Sequence, residues 1–271
     1  MNPFHQIVPE FENTGAALRL NIVAHGCARL DQRWADVSIR PPYSRLYYMI
    51  DGEGEVIVEK QKIKLHGGKV YLFPAGTTIA YRCPKSMTQL YFHLETRTAD
   101  GYDLFTRTHQ PVELPVETDA SQLTADYLSG GYLPEMRVRS RVETDVARCI
   151  AASGLEETLL HQPSAFLQAV FRTVQKQLRS SLTIAEIARE ISLSESSLTK
   201  RFRREFGTPL GRYMDEILAQ EIARRLLQSD ESIQTIAEEL GFCDPFYLSR
   251  FFRAHRELSP REYRLRMKAQ I

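Results

Sequence analysis

IAEIAREISLSESSLTKRF (residues 184–202) and IQTIAEELGFCDPFYLSRFF (residues 233–252) are one pattern written twice. Ala188 answers to Ala237 at an offset of 49, while Leu198 answers to Leu248 and Phe202 to Phe252 at an offset of 50. The second copy therefore carries one extra residue in its turn. Two copies of a pattern mean two like supersecondary units. Each opens with a helix start: Thr183 with Glu186 three residues on makes a capping box, and Ser232 stands in the same place in the second copy. The short amphipathic helix that follows breaks at Ser192 in one copy and at Gly241 in the other, where left-handed backbone costs least for glycine. A second helix then begins, capped by Ser194 or by Asp244 with Pro245 at the first helical position. Helix, tight turn and helix make the helix-turn-helix unit.

The second helix of each copy has two faces of different content. In the first, Leu198, Phe202 and Phe206 recur every four residues and should be buried, which leaves Ser196, Thr199, Lys200 and Arg203 opposite. The second buries Leu248 and Phe252 and presents Phe246, Ser249, Arg250 and Arg253 in the same phase. Such a stripe is either a solvated face or a surface for a DNA major groove. In the groove Arg or Lys reaches guanine acceptors or phosphates, and Ser or Thr bonds to either. Repetition in one phase favours the groove. Between the copies, residues 211–228 read as one helix, with Tyr213, Ile217, Ile222 and Leu226 at helical spacing. At about 1.5 Å per residue it spans roughly 27 Å. That is near the roughly 34 Å between successive major grooves on one face of a duplex.

The paired units, the connecting helix and the closing signature IAEELGF, YLSRFFR and LSPREYR closely resemble the DNA-binding domain of AraC-type (AraC/XylS) transcriptional regulators. The resemblance covers about the last ninety residues. One departure is visible: Glu257 stands where the family has glycine before the hydrophobic residue and Ser-Pro, which bears on the local turn. The resemblance implies that Ser196, Thr199, Lys200, Arg203, Phe246, Ser249, Arg250 and Arg253 face double-stranded DNA.

Composition bounds the rest. A length of 271 residues fits two domains. The formal charge of +1 does not point to nucleic acid, and residues 180–271 hold 15 Lys and Arg against 14 Asp and Glu. Placement carries the signal: Glu186, Glu190, Glu238 and Glu239 lie on supporting helices, and Lys200, Arg201, Arg203 and Arg204 on a recognition helix. Cys27, Cys83, Cys149 and Cys243 form no CxxC pair, which fits reduced thiols in a cytosolic protein. No apolar run approaches a membrane span, and the start MNPFHQIVPEF lacks a signal pattern, so a cytoplasmic protein with no membrane partner is expected.

From residue 1 to about 115 the chain changes character. Residues 45–50 (RLYYMI), 55–60 (EVIVEK), 69–74 (KVYLFP), 79–83 (IAYRC) and 88–94 (TQLYFHL) read as short strands. Asp51-Gly52-Glu53-Gly54, His66-Gly67-Gly68, Pro74-Ala75-Gly76 and Pro84-Lys85 separate them as turns, which predicts an antiparallel sandwich or small barrel. The order GEGEV, then LHGGKVYLFPAG, resembles the cupin-like sensing domain found upstream of AraC-type DNA-binding domains.

His25, His66 and His93 each stand alone without the HxH pair of metal-dependent cupins, and no GxSxG, HExxH or phosphate loop occurs. No metal, no cofactor and no enzymatic activity are expected. Strand alternation puts Gln89, Tyr91 and His93 on one face, suited to a small hydroxylated ligand. Arabinose-type sensors of the family use an Arg-Pro, a Tyr after the FPxG turn and an aromatic on the last strand. The resemblance places Arg40, Tyr81 and Tyr91 there, although tyrosines that simply pack a barrel would read the same way.

The expected architecture is α+β with two domains: a cupin-like antiparallel β barrel for ligand binding (1–130), a helical linker or dimerisation segment (131–179), and an all-α domain with two helix-turn-helix units (180–271). In the linker, Phe166, Val170, Val174 and Leu178 form a stripe that resembles the helix through which the family's sensing domains pair, so a homodimer is expected. The implied function is a transcriptional regulator controlled by a small-molecule effector, a sugar or related metabolite, with RNA polymerase as a further partner. The alternatives are a cupin enzyme or carbohydrate-binding module tethered to DNA-binding helices, or a regulator whose barrel only dimerises.

Overall fold

The computed structural model describes residues 18–35, 40–117, 120–160 and 163–268. Seven antiparallel strands come first: β1 (Leu18–Asp31), β2 (Ser44–Val58), β3 (Gln61–His66), β4 (Lys69–Phe73), β5 (Ile79–Arg82), β6 (Ser86–Thr98) and β7 (Val112–Pro115). Their order is β1-β6-β2-β4-β7, with β3 and β5 both paired to β2. The sheet is rolled rather than closed, so the expected barrel is open at β1 and β7.

The cause lies in β2. Residues 45–50 and 55–60 are expected to be two strands with a turn at Asp51-Gly52-Glu53-Gly54, but the chain runs through as one long strand. Its first half pairs with β4 and β6, its second with β3 and β5, and the register against β6 shifts between Met49 and Asp51. A bulge of this kind bends a strand and steepens its twist. Gly52, at φ +82°, is needed at the close pass with β6: a Cβ there would stand 2.3 Å from the Ser86 carbonyl oxygen.

Alternation along β2 and β6 sorts side chains to two faces. Leu46, Tyr48, Leu90, Phe92 and Leu94 face outward, where α1 (Ala120–Ser129) and α2 (Tyr132–Ala152) cover them with Leu123, Val138, Val142, Val146 and Cys149. The Tyr48 hydroxyl donates to Asp145 Oδ2 at 2.9 Å, and Arg141 and Arg148 donate to the same buried carboxylate. The helix is thus clamped to the sheet by a satisfied polar group as well as by apolar contact.

After the short α3 (Glu156–Leu160), α4 (Ala165–Lys176) begins the C-terminal half. The linker therefore divides: α2 packs on the sheet, whereas α4 packs on α5 (Ile184–Glu190), α6 (Glu195–Phe206) and α7 (Leu210–Gln228). Val170 and Val174 of the expected pairing stripe are buried in that core beside Phe202 and Tyr213, and Arg201 lies 4.1 Å over the Phe166 ring. Half of the stripe is thus taken up inside the chain, and Phe166 and Leu178 are partly buried beside it. The exposed apolar corner is elsewhere, at Leu128, Tyr132, Leu133 and Met136 where α1 meets α2.

The second unit is α8 (Ile233–Glu239) and α9 (Pro245–Arg256), closed by α10 (Pro260–Lys268). At about 1.5 Å per residue, the 19-residue α7 is roughly 28 Å long. It is buried on two sides: Tyr213 and Ile217 join the core of the first unit, while Ile222, Ala223 and Leu226 join that of the second. No helix among the described residues is long and apolar enough to cross a membrane.

Candidate functional site

Both helix-turn-helix corners are built as their residues require. The Thr183 hydroxyl accepts from the Glu186 amide at 3.2 Å, and Glu186 Oε2 accepts from the Thr183 amide at 2.8 Å, completing the capping box. These bonds to Thr183 hold the Glu186 carboxyl below its usual range. Ser192 turns the chain at φ +57° and Gly241 at φ +70°. Ser194 then caps α6 by accepting from Ser197 N at 3.3 Å, and Asp244 caps α9 by accepting from Tyr247 N at 2.6 Å. The last bond, with its neighbours, depresses the Asp244 carboxyl.

The two copies are tied together by more than α7. Ser180 N donates to Leu240 O at 2.8 Å and the Ser180 hydroxyl donates to Gly241 O, so the lead-in to the first unit is stitched to the turn of the second.

Leu198 and Phe202 on α6, and Leu248 and Phe252 on α9, are fully buried, which leaves the opposite stripes outward. Ser196, Lys200, Arg203, Phe246, Arg250 and Arg253 are exposed, and Thr199 and Ser249 half-buried. Thr199 and Ser249, equivalent by the offset of 50, each donate to the carbonyl four residues back, Glu195 O at 2.9 Å and Pro245 O at 2.8 Å. Their hydroxyl oxygens are left to accept.

The cations differ in the same orderly way. Arg201 is held by Glu205 at 2.7 Å and Arg204 lies 3.6 Å from it. No acidic group among the described residues lies within ion-pair distance of Lys200, Arg203, Arg250 or Arg253. Four cations of the predicted stripes thus remain open to an outside anion. At the closing signature, Ser259 and Glu262 form a second reciprocal cap, with Ser259 N donating to Glu262 Oε2 at 2.9 Å and Glu262 N to Ser259 Oγ at 3.3 Å.

In the sheet, four of the five predicted ligand residues gather on the inner face and the fifth does not. Tyr81 stacks on Trp34 at 4.5 Å, and His93 stacks on Tyr43 at 4.6 Å with Tyr91 tilted 5.2 Å away. Gln89 lies buried on the same strand face. Tyr81, Tyr91 and His93 lie around Arg45, which is only 2% exposed and is not among the residues expected from the sequence. Its guanidinium donates to the Tyr47 hydroxyl at 3.1 Å and lies 5.5 and 5.6 Å from the Tyr43 and Tyr81 ring centres. The alternation that places Tyr47 inward also places Arg45 inward, so the signal was in the strand.

Burial works against the charge of Arg45, but the surrounding phenolic oxygens outweigh it and the guanidinium stays protonated. Burial, and then Arg45, push His93 well below the usual imidazole range, so its ring is neutral. Gln89 Oε1 and His93 Nδ1 are buried without a hydrogen-bond partner. Arg40, by contrast, is exposed, donates from Nε to Gly76 O at 2.6 Å, and lines a cleft of about 900 Å³ that reaches the cluster at Tyr43. That cleft lies between the sheet and the C-terminal helices, with Tyr43 and Glu95 on one side and Gln220 and Tyr263 on the other. Among the described residues no His, Cys, Asp and Glu cluster could hold a metal ion.

A family profile described as a helix-turn-helix domain matches residues 187–266. The chain is 21% identical over 258 residues to the Msm operon regulatory protein of Streptococcus mutans, covering 90% of this chain and 92% of that protein. It is 28% identical over 99 residues to the multiple antibiotic resistance protein MarA of Escherichia coli, covering 36% of this chain and 78% of MarA. Among solved structures, unsaturated fatty acid-bound ToxT from Vibrio cholerae aligns over 92% of this chain and 95% of its own, with a TM-score of 0.50 at 12% identity. That likeness concerns the fold, a strand-rich half followed by a helical half.

Proposed function

We propose, on the premise that the chain belongs to the AraC family of DNA-binding transcriptional regulators, that α6 and α9 read two successive major grooves of one operator. The reading residues are Ser196, Thr199, Lys200 and Arg203 on α6 and Phe246, Ser249, Arg250 and Arg253 on α9. The observation that carries this is the repetition of one outward stripe, in one phase, with its cations left without internal ion pairs. Arg and Lys in that position neutralise phosphates or bond to guanine, and the accepting hydroxyls of Thr199 and Ser249 suit amino groups on base edges.

Binding by full-length chain to duplexes selected from a randomised pool tests the reading. Arg250→Ala should lose about 1–3 kcal/mol on the selected sequence and much less on unrelated DNA. An equal loss on every duplex makes Arg250 a phosphate contact, and no selected sequence at all removes the proposal.

The inner face of the sheet is proposed as the effector site, with Gln89 Oε1 and His93 Nδ1 as the polar groups awaiting a ligand hydroxyl and Tyr81 and Tyr91 as stacking surfaces. Arg40 would act at the cleft between the halves. An effector shifts the balance of two arrangements only by the difference in its affinity for them. A thermal-shift screen of sugars against fatty acids, the second class being what the ToxT structure contains, identifies the class, since binding to the native state raises apparent stability. A homodimer and contact with RNA polymerase belong to the same proposal. Light scattering of the purified chain reads the first.

A further inference from the structure

Phe246 is 79% exposed, more than any other large apolar side chain among the described residues. The other rings of α9 have aromatic neighbours: Tyr247, itself 45% exposed, lies 5.8 Å and Phe251 5.5 Å from Phe242, and Phe252 meets Tyr263 at 5.1 Å. Phe246 thus contributes nothing to the packing of its own helix. Its place is set by Asp244 and Pro245, which fix where α9 begins and put Phe246 in the first turn. In helix-turn-helix proteins the first turns of the recognition helix are the part that reaches base edges. Ser249, Arg250 and Arg253, at three, four and seven residues further on, share its side of the helix.

A phenyl ring neither donates nor accepts a conventional hydrogen bond. The one apolar feature on a major-groove base edge is the 5-methyl group of thymine. In the first copy the equivalent position, 50 residues earlier, is Ser196, whose hydroxyl is exposed and polar. We propose that Phe246 packs on the 5-methyl of a thymine in the half-site read by α9, and that the half-site read by α6 carries no such requirement. The two halves of the operator are then unlike, and the protein has one defined orientation on it. The inference rests on the groove-reading proposal and adds to it the chemistry of one base.

The test uses the full chain and duplexes selected from a randomised pool, with each thymine of the selected sequence replaced in turn by deoxyuridine, which differs only by the methyl. Wild type should lose about fourfold in affinity at one or two positions of a single half-site, the scale of one buried methyl group. Phe246→Ser, which copies the first unit, should bind thymine and uracil duplexes equally, and Phe246→Leu should keep the discrimination. Because the side chain is exposed, neither change removes a packing contact. If wild type selects a sequence but responds to no uracil, or if Phe246→Ser keeps the response, this inference falls and the groove reading stands. If wild type selects no sequence, the groove reading falls first.

Discussion

His93 shows how one residue couples the interior of the sheet to solution conditions. Its imidazole is held neutral by burial and by the nearby guanidinium of Arg45, while in the unfolded chain it takes up a proton near the usual value of about 6.5. The unfolded state therefore binds more protons as the pH falls below that point, and stability must fall with it. Between pH 7 and pH 5 the wild type should lose more stability than His93→Gln, by up to about 2 kcal/mol at roughly 1.4 kcal/mol per pH unit below pH 6.5. Urea denaturation of both proteins across that range measures it, and parallel curves would mean that the folded ring accepts the proton after all. The same neighbourhood marks the reach of sequence reading at this scale. Alternation placed Gln89, Tyr91 and His93 on one face, as the strand has them, because a period of two needs only local information. Arg40, which the resemblance groups with Tyr81 and Tyr91, lies at the cleft between the sheet and the C-terminal helices, since its surroundings depend on where Gly76 and those distant helices come to rest.

At the scale of elements, the helices were legible and the strand connections were not. Caps and breaks such as Thr183, Ser192, Ser194 and Asp244 act within four residues, so their sequence states their geometry. The connection of β2 to β3 escaped because its two-residue turn is Glu59-Lys60, at φ +45° and +77°, where a hairpin ordinarily carries Asn-Gly. The reverse held at Gly52 and Gly54, whose glycines read as a turn but serve a close crossing of strands. Left-handed backbone at a residue with a Cβ costs on the order of 1 kcal/mol. Three elements carry that strain at their ends: β2 at Glu59 and Lys60, α5 at Ser192, and α9 at Glu257, where φ is +62° and the first unit has Gly207 at φ +81°. Glu257, the one departure from the family signature, thus keeps the glycine geometry without the glycine. Lys60→Gly and Glu257→Gly should each raise stability by up to about 1 kcal/mol, as read from denaturation midpoints. Independent, additive gains are expected because the two turns share no contacts, and no gain at Glu257 would mean that its αL turn is relaxed.

For the whole molecule, the question is what makes two halves respond as one. The turn after β6 plugs the sheet into the helical half: Tyr102 stacks on Phe206 at 6.2 Å and meets Tyr213 edge-on at 5.8 Å. The Tyr213 hydroxyl donates to Asp100 O at 2.7 Å and Gln175 Nε2 to Ala99 O at 3.1 Å. Pairings across more than seventy residues leave no mark in a local pattern, which is why the sequence predicted two domains but not their joint. Tyr213 sits at the start of α7 and inside the core under α6, so a shift of this turn bears directly on a recognition helix. Sheet and helices should therefore melt as a single calorimetric transition. Tyr102→Ala removes a ring held between Phe206 and Tyr213, a loss on the order of 3 kcal/mol, and should split that transition in two. Tyr213→Phe, which removes the hydroxyl that donates to Asp100 O and meets the Gln175 side chain, should weaken the cooperativity without separating the melts, at a cost of about 1 kcal/mol. If Tyr102→Ala still melts as one unit, the coupling runs instead through the second contact, where Tyr43 of the sheet and Tyr263 of α10 share one core. The cleft lined by both would then be where a bound molecule has most leverage on the helix-turn-helix half.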